Sequence, residues 1–200
     1  MRLAFGTWLA SDARLPDLSF DDAKDLRPSL VADGKNSVLV APITVPGHEN
    51  DLAITITRIS ESSGAIVEAD IVINAKHVFR NLDREGTDRH RSEDEPRSSA
   101  RDGQDRNGQR SRCAARSNDD DCRDAVYDVQ NVVTHEVGHF FGLGEDTEDA
   151  AATMYLCTDR CETHKRALTD DDRRVMAALY PTPLDDVDAE PAQGGCGGAR

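Results

Sequence analysis

His135-Glu136-Val137-Gly138-His139-Phe140-Phe141-Gly142-Leu143-Gly144-Glu145-Asp146 is the stretch from which the rest of this 200-residue chain is read. Two histidines four residues apart on a helix stand one above the other on the same face, so both imidazoles reach one metal ion. Glu136, between them, is placed to act as general base on a metal-activated water, with Zn²⁺ as the Lewis acid. Such a pentad arises by chance in about one in a hundred chains of this length, so its surroundings matter. Val126, Val129, Val132, Val133, Val137 and Phe140 recur at spacings of three and four, which predicts a helix with one apolar stripe. Gly142 suits a left-handed helix stop three residues after His139. Just past that turn, Glu145 and Asp146 are both placed to fold back as a third ligand. Three protein ligands leave a position open for water, and closed structural zinc sites favour cysteine, of which this stretch has none.

Around that core the chain reads as strands first and a helix last. Ser37 to Val40, continuing to Val45, is a strand that Pro42 and Pro46 confine to an edge or a bulge. Leu52 to Ile59 alternates as a half-buried strand does, and Glu61-Ser62-Ser63-Gly64 is a hairpin turn. A third strand runs from Ile66 to Asn74, with Ala69, Ile71 and Ile73 on one face and Asp70 and Val72 on the other. Upstream, Ala4 to Leu9 reads as the end of an amphipathic helix and Leu15 to Phe20 as a short strand. Thr169-Asp170-Asp171-Asp172 opens a last helix: threonine caps it, the aspartates suit its positive end, and Val175, Met176 and Leu179 form its expected buried stripe.

The extended motif, followed by Ala152-Thr153-Met154-Tyr155 where a methionine turn belongs, resembles the metzincins, and within them the matrixin-like bacterial branch. That resemblance implies an α+β catalytic domain with a twisted mixed β-sheet, an active-site helix and a C-terminal helix. It implies a zinc-dependent endopeptidase acting on protein or peptide substrates. Zn²⁺ would be held by His135, His139 and Glu145, with Glu136 as general base and Met154 as an apolar floor. The family's third histidine is replaced by a carboxylate, and register favours Glu145 over Asp146. The strand Ala69 to Asn74 looks like the edge along which the family binds an extended peptide. The alternative is a degenerate, non-catalytic module that binds peptide or zinc.

Composition bounds the remainder. The formal net charge of −14 argues against nucleic acid as a partner, because phosphate binding needs a basic face. With 38% apolar and 31% charged residues, part of the chain is expected to lie outside the core. The catalytic domain is therefore drawn over 1–182, interrupted by a mobile charged insertion at about 83–124, and 183–200 is read as a flexible acidic and Gly-Cys tail. Asp119-Asp120-Asp121 in the insertion lacks the glycine and glutamate of a calcium loop, so a structural Ca²⁺ is left open; His90 reads as surface. Cys113, Cys122, Cys157 and Cys161 allow two disulfides in three connectivities, with a bridge from the insertion to the segment after the methionine turn favoured. Cys196 is left over. A secreted or cell-envelope monomer with no membrane span is expected; no basic-then-apolar leader is visible, and the resemblance places a strand and most of a helix before Phe5 to Trp8, so a truncated or misassigned start is expected.

Overall fold

The computed structural model describes residues 1–11, 14–22, 32–82 and 126–181. Two layers make up the domain: a three-stranded mixed sheet and, beneath it, a group of helices. The sheet is built from β1 (Val38–Ala41), β2 (Ala53–Ile59) and β3 (Ile66–Asn74) in the order β1-β3-β2. β3 runs parallel to β1, pairing Val38 with Ile71, and antiparallel to β2, pairing Thr55 with Ile71.

Strand alternation sorts the side chains onto two faces. Ala53, Ile71 and Ile73 face the helices and join the main core with Trp8, Val132, Val133, Val137, Met154 and Met176. Burying each of the larger aliphatic side chains contributes about 2 kcal/mol. Leu39, Ile43 and Val72 form a smaller core on the opposite face, flanked by Ile54 and Ile56. The expected two-faced pattern of β3 holds, but its polar face is buried as well. Glu68 accepts from the backbone N–H groups of Asp33 and Gly34 at 2.9 and 2.6 Å, Asp70 from that of Ser37 at 2.9 Å, and Asn74 donates to the carbonyls of Glu49 and Asp51. Two crossing loops are pinned this way.

β3 is consequently the central strand, which corrects its reading as a peptide-binding edge. A strand hydrogen-bonded on both sides has no free donors or acceptors for a substrate. Among the described residues the edges are β1 and β2, and it is β2 that lies against the helix carrying the histidines. Gly64, with φ +70°, turns β2 into β3, as the hairpin reading expects.

Three further expectations are revised. Val126 does not begin the long helix; it lies in β5 (Val126–Asp128), paired in parallel with β4 (Val78–Arg80). Asp128 ends that strand by capping α2 (Val129–Phe140), accepting from Asn131 N–H at 2.7 Å. Leu15 to Phe20 forms no strand, although Leu15 and Leu18 pack against the core beside α1 (Arg2–Leu9). In α3 (Asp170–Leu179), Thr169 and Asp172 make a complete capping box, but only Met176 of the expected stripe is buried. Val175 and Leu179 are exposed because the inward face of α3 is centred on Asp172 and Met176 and turned towards the half-buried Arg173 and Ala177.

The charged insertion, Asp119 to Asp121, His90, Cys113, Cys122, Cys196 and the 183–200 tail lie outside the described residues. Cys157 and Cys161 are both disulfide-bonded. Among the described residues no helix is long and apolar enough to cross a membrane.

Candidate metal centre

The site starts from the way α2 ends. Gly142 adopts φ +97°, a conformation that costs a side-chain-bearing residue, and closes the helix with Leu143 N–H donating to Gly138 O at 3.0 Å and Gly142 N–H to His139 O at 2.9 Å. A Cβ at position 142 would also lie 3.2 Å from Ile66 Cδ1. This reversal carries the chain back under the helix. Leu143 comes to rest behind His139, and Glu145 in front of it.

Each histidine is held from behind by a backbone carbonyl. His135 Nδ1 lies 2.9 Å from Thr153 O, and His139 Nδ1 lies 2.8 Å from Leu143 O. A carbonyl can only accept, so both Nδ1 atoms carry protons, and in the neutral form of each ring, the form that binds a metal, Nε2 presents its lone pair forward. Those two Nε2 atoms stand 3.2 Å apart. Two acceptors facing each other repel unless a cation lies between them. Two nitrogens each about 2.05 Å from a tetrahedral zinc are separated by about 3.3 Å, which matches the spacing here.

Glu145 completes the cluster. Its Oε2 is 3.6 Å from His135 Nε2 and its Oε1 is 3.3 Å from His139 Nε2. One ligand atom from each of the three residues lies within 4.8 Å of the others. Burial alone would raise the carboxyl pKa of Glu145, but hydrogen bonds and charge from His135 and His139 outweigh it and hold the group at about 2. For His139 burial works towards the neutral ring, yet Glu145, the Leu143 carbonyl and the charge of Glu136 together raise its pKa. The donor set, two imidazoles and a carboxylate, is one that zinc accepts.

Asp146, the other carboxylate that spacing left open, points away. Its Oδ1 accepts from the backbone N–H groups of Glu148 and Asp149 at 2.7 and 2.9 Å, which pulls its pKa below the ordinary range. Its own N–H donates to Met154 O at 2.7 Å, so Asp146 stitches the loop to the segment around Met154. Met154 sits under the histidine helix, buried against Gly138. A Cβ on Gly138 would fall 2.1 Å from Met154 Sδ and 3.0 Å from Trp8 Cζ2, so glycine is what lets the floor approach.

Glu136 is buried, with its carboxylate in the same cleft of ≈ 1010 Å³ that Thr55, His139, Leu143 and Glu145 line. The edge strand β2 contributes Ala53 to Thr57 to that cleft. Tyr155 and His164 stay outside it. His164 is a surface residue near Glu162.

Several supporting groups have no marker in the sequence motif. Thr153 and Leu143 act through backbone carbonyls, which no side-chain pattern reveals. Thr153 N–H is in turn held by Asp172 of the α3 capping box at 3.0 Å, so the last helix supports the His135 acceptor. Lys165 is fully buried, donating to the carbonyls of Tyr155 and Cys157 and to Thr158 Oγ1. Burial pushes its pKa down, against the opposing pull of Glu162 and other carboxylates. Asp128 accepts from Arg166 as well as from Leu82 and Asn131 N–H, tying the start of α2 to the segment after Met154.

No curated protein sequence matches the chain significantly. The model of the Matrixin family of peptidases, by contrast, matches residues 17–181, a span holding the mixed sheet, the histidine helix, the methionine turn and α3. By that match over most of its length, the chain belongs to the matrixin family of metallopeptidases.

Proposed function

We propose that this protein is a zinc-dependent endopeptidase in which His135, His139 and Glu145 hold the metal and Glu136 is the general base. The observation that carries the reading is the pair of Nε2 lone pairs 3.2 Å apart, each imidazole fixed by a carbonyl on its other nitrogen, with the Glu145 carboxylate alongside. When bound, zinc would supply Lewis acidity to the scissile carbonyl and to the attacking water. Glu136 accepts the proton of that water and passes it to the leaving amine. Among the described residues the outer edge of β2 is unpaired; it lies along the cleft and suits an extended peptide, added as one more strand through backbone hydrogen bonds. The disulfides at Cys157 and Cys161 support a secreted or cell-envelope location, where such bonds persist.

Zinc analysis of the purified chain, with cleavage of denatured casein measured with and without a chelator, tests the reading. One zinc per chain and chelator-sensitive cleavage are expected. Glu136→Ala should keep its zinc and lose cleavage by about 10²- to 10⁴-fold, the usual contribution of a positioned general base. Stoichiometric zinc with an inert wild-type chain would instead favour a non-catalytic module that binds peptide or metal.

A further inference from the structure

Thr55 sits in the middle of β2, on the face turned towards α2, because the alternation that sends Ile54 and Ile56 to the smaller core sends Thr55 the other way. Its Oγ1 lies 2.7 Å from Glu136 Oε2 and 3.0 Å from the Glu136 backbone carbonyl. Among the described residues it is the one side chain that donates to this buried carboxylate. A hydroxyl has a single proton, and both neighbours are acceptors. The nearer one, charged, is the stronger partner.

We infer that Thr55 is the positioning residue for Glu136 in the proposed peptidase reaction, an inference that rests on the zinc-peptidase reading. By occupying Oε2 it leaves Oε1 as the oxygen that receives the proton from water, so the base presents one defined atom to the cleft. The second acceptor adds a feature suited to turnover. When Glu136 has gained a proton, the Thr55 hydroxyl can rotate its own proton to the Glu136 carbonyl and keep a hydrogen bond in either state. No proton leaves the threonine, and the balance of the reaction is unchanged.

The placement also joins binding to chemistry. Thr55 belongs to β2, an edge strand among the described residues, so a peptide docked along that edge is registered against the same element that holds the base. A threonine here is a defined demand: valine has the same shape and equal fitness for a strand, and lacks only the donor.

Steady-state kinetics of Thr55→Val and Thr55→Ser on a peptide substrate, with zinc content and thermal unfolding of each variant, test this. Thr55→Val is expected to keep one zinc and its fold, to lose kcat about ten- to hundredfold, and to leave KM near the wild-type value, because the lost donor served a charged group. Thr55→Ser, which restores the hydroxyl, should recover most of kcat. Wild-type kcat in Thr55→Val overturns the inference. So does a loss that serine fails to rescue, or one confined to KM, since either would mean that the side chain shapes the strand and does not hold the base. A zinc-loaded wild-type chain without peptidase activity would remove the reading itself, and this inference with it.

Discussion

The two layers of this domain are held together by different physics. In the sheet, Ile71 and Ile73 on one face and Val72 on the other are buried by simple alternation and the strands are joined by ladder hydrogen bonds, while Glu68, Asp70 and Asn74 pin only the loops that cross it. Beneath it, the segment from Gly142 to Thr169 is mostly irregular and is fixed by buried polar groups aimed at backbone. Lys165 gathers the carbonyls of Tyr155 and Cys157 and Asp172 holds Thr153 N–H, while the backbone of Asp146 ties its own loop to the segment at Tyr155. An apolar layer tolerates exchange of one aliphatic for another. A layer of irregular backbone does not, because each carbonyl and N–H has a particular partner and an orphaned one costs free energy. The candidate metal ligands belong to the second layer, so their geometry depends on side chains outside the cluster.

The strongest way to break this contrast is Lys165→Met. The methionine fills similar space but leaves two carbonyls and the Thr158 hydroxyl without their donor, at a cost of about 3 kcal/mol. Ile71→Val, in the best-buried part of the sheet, should cost about 1 kcal/mol. Both are read by denaturant unfolding of the metal-free protein. If the isoleucine change proves the larger, the distinction between the layers is wrong.

The same division governs how much could be read from the sequence. While β1 stops at Ala41, short of the expected Val45, two of the sheet strands appear close to their expected bounds, since β3 spans Ile66–Asn74 and β2 starts one residue after the expected Leu52. Their order does not, because period-two alternation specifies faces and not neighbours. β3 was therefore open to being read as an edge. In the lower layer the His-Glu-x-x-His spacing, the Gly142 stop and the Thr169 cap are local signals and survive in the structure. Val126 was drawn into the helix because a valine satisfies both periods; Asp128, a good N-cap in the right place, is the residue that divides strand from helix. Lys165 and Thr55 could not be found this way. A lysine in a polar stretch reads as surface, and a threonine in a strand carries no mark of the carboxylate it faces.

A smaller effect separates two adjacent carboxylates. Glu145→Ala removes a candidate ligand and should weaken zinc binding at least about a hundredfold, beyond the usual loss from an outer partner of a ligand. Asp146→Ala removes only the acceptor for the Glu148 and Asp149 N–H groups, so its zinc affinity should stay within about threefold of wild type. Competition with a chromophoric chelator measures both. Equal losses would show that the Asp146 turn, and not the Glu145 oxygen atoms, sets the site. The contrast is sharpened because these neighbours share one loop and differ only in the direction of their side chains.

The effect most specific to the polar layer, smaller than those of Lys165→Met and Glu145→Ala, is a dependence on pH. Asp128 is fully buried, yet the Arg166 hydrogen bond and charge, with the Leu82 and Asn131 N–H groups, outweigh burial and hold its pKa below the ordinary aspartate range. A carboxyl whose pKa is lower in the folded state adds stability that is complete above the unfolded pKa, about 3.9, and disappears as pH falls through the folded value. Unfolding free energy should therefore decline as pH drops below about 4, partly through this group. Asp128→Asn keeps an oxygen to cap α2 but cannot be charged, so it should lose about 1–2 kcal/mol at pH 7 and show a shallower decline in acid. The two proteins should converge in stability as the native aspartate takes up its proton. Parallel curves across that range would mean that the Arg166 pair contributes little, and that the start of α2 is held to the segment after Met154 by packing, as the sheet is.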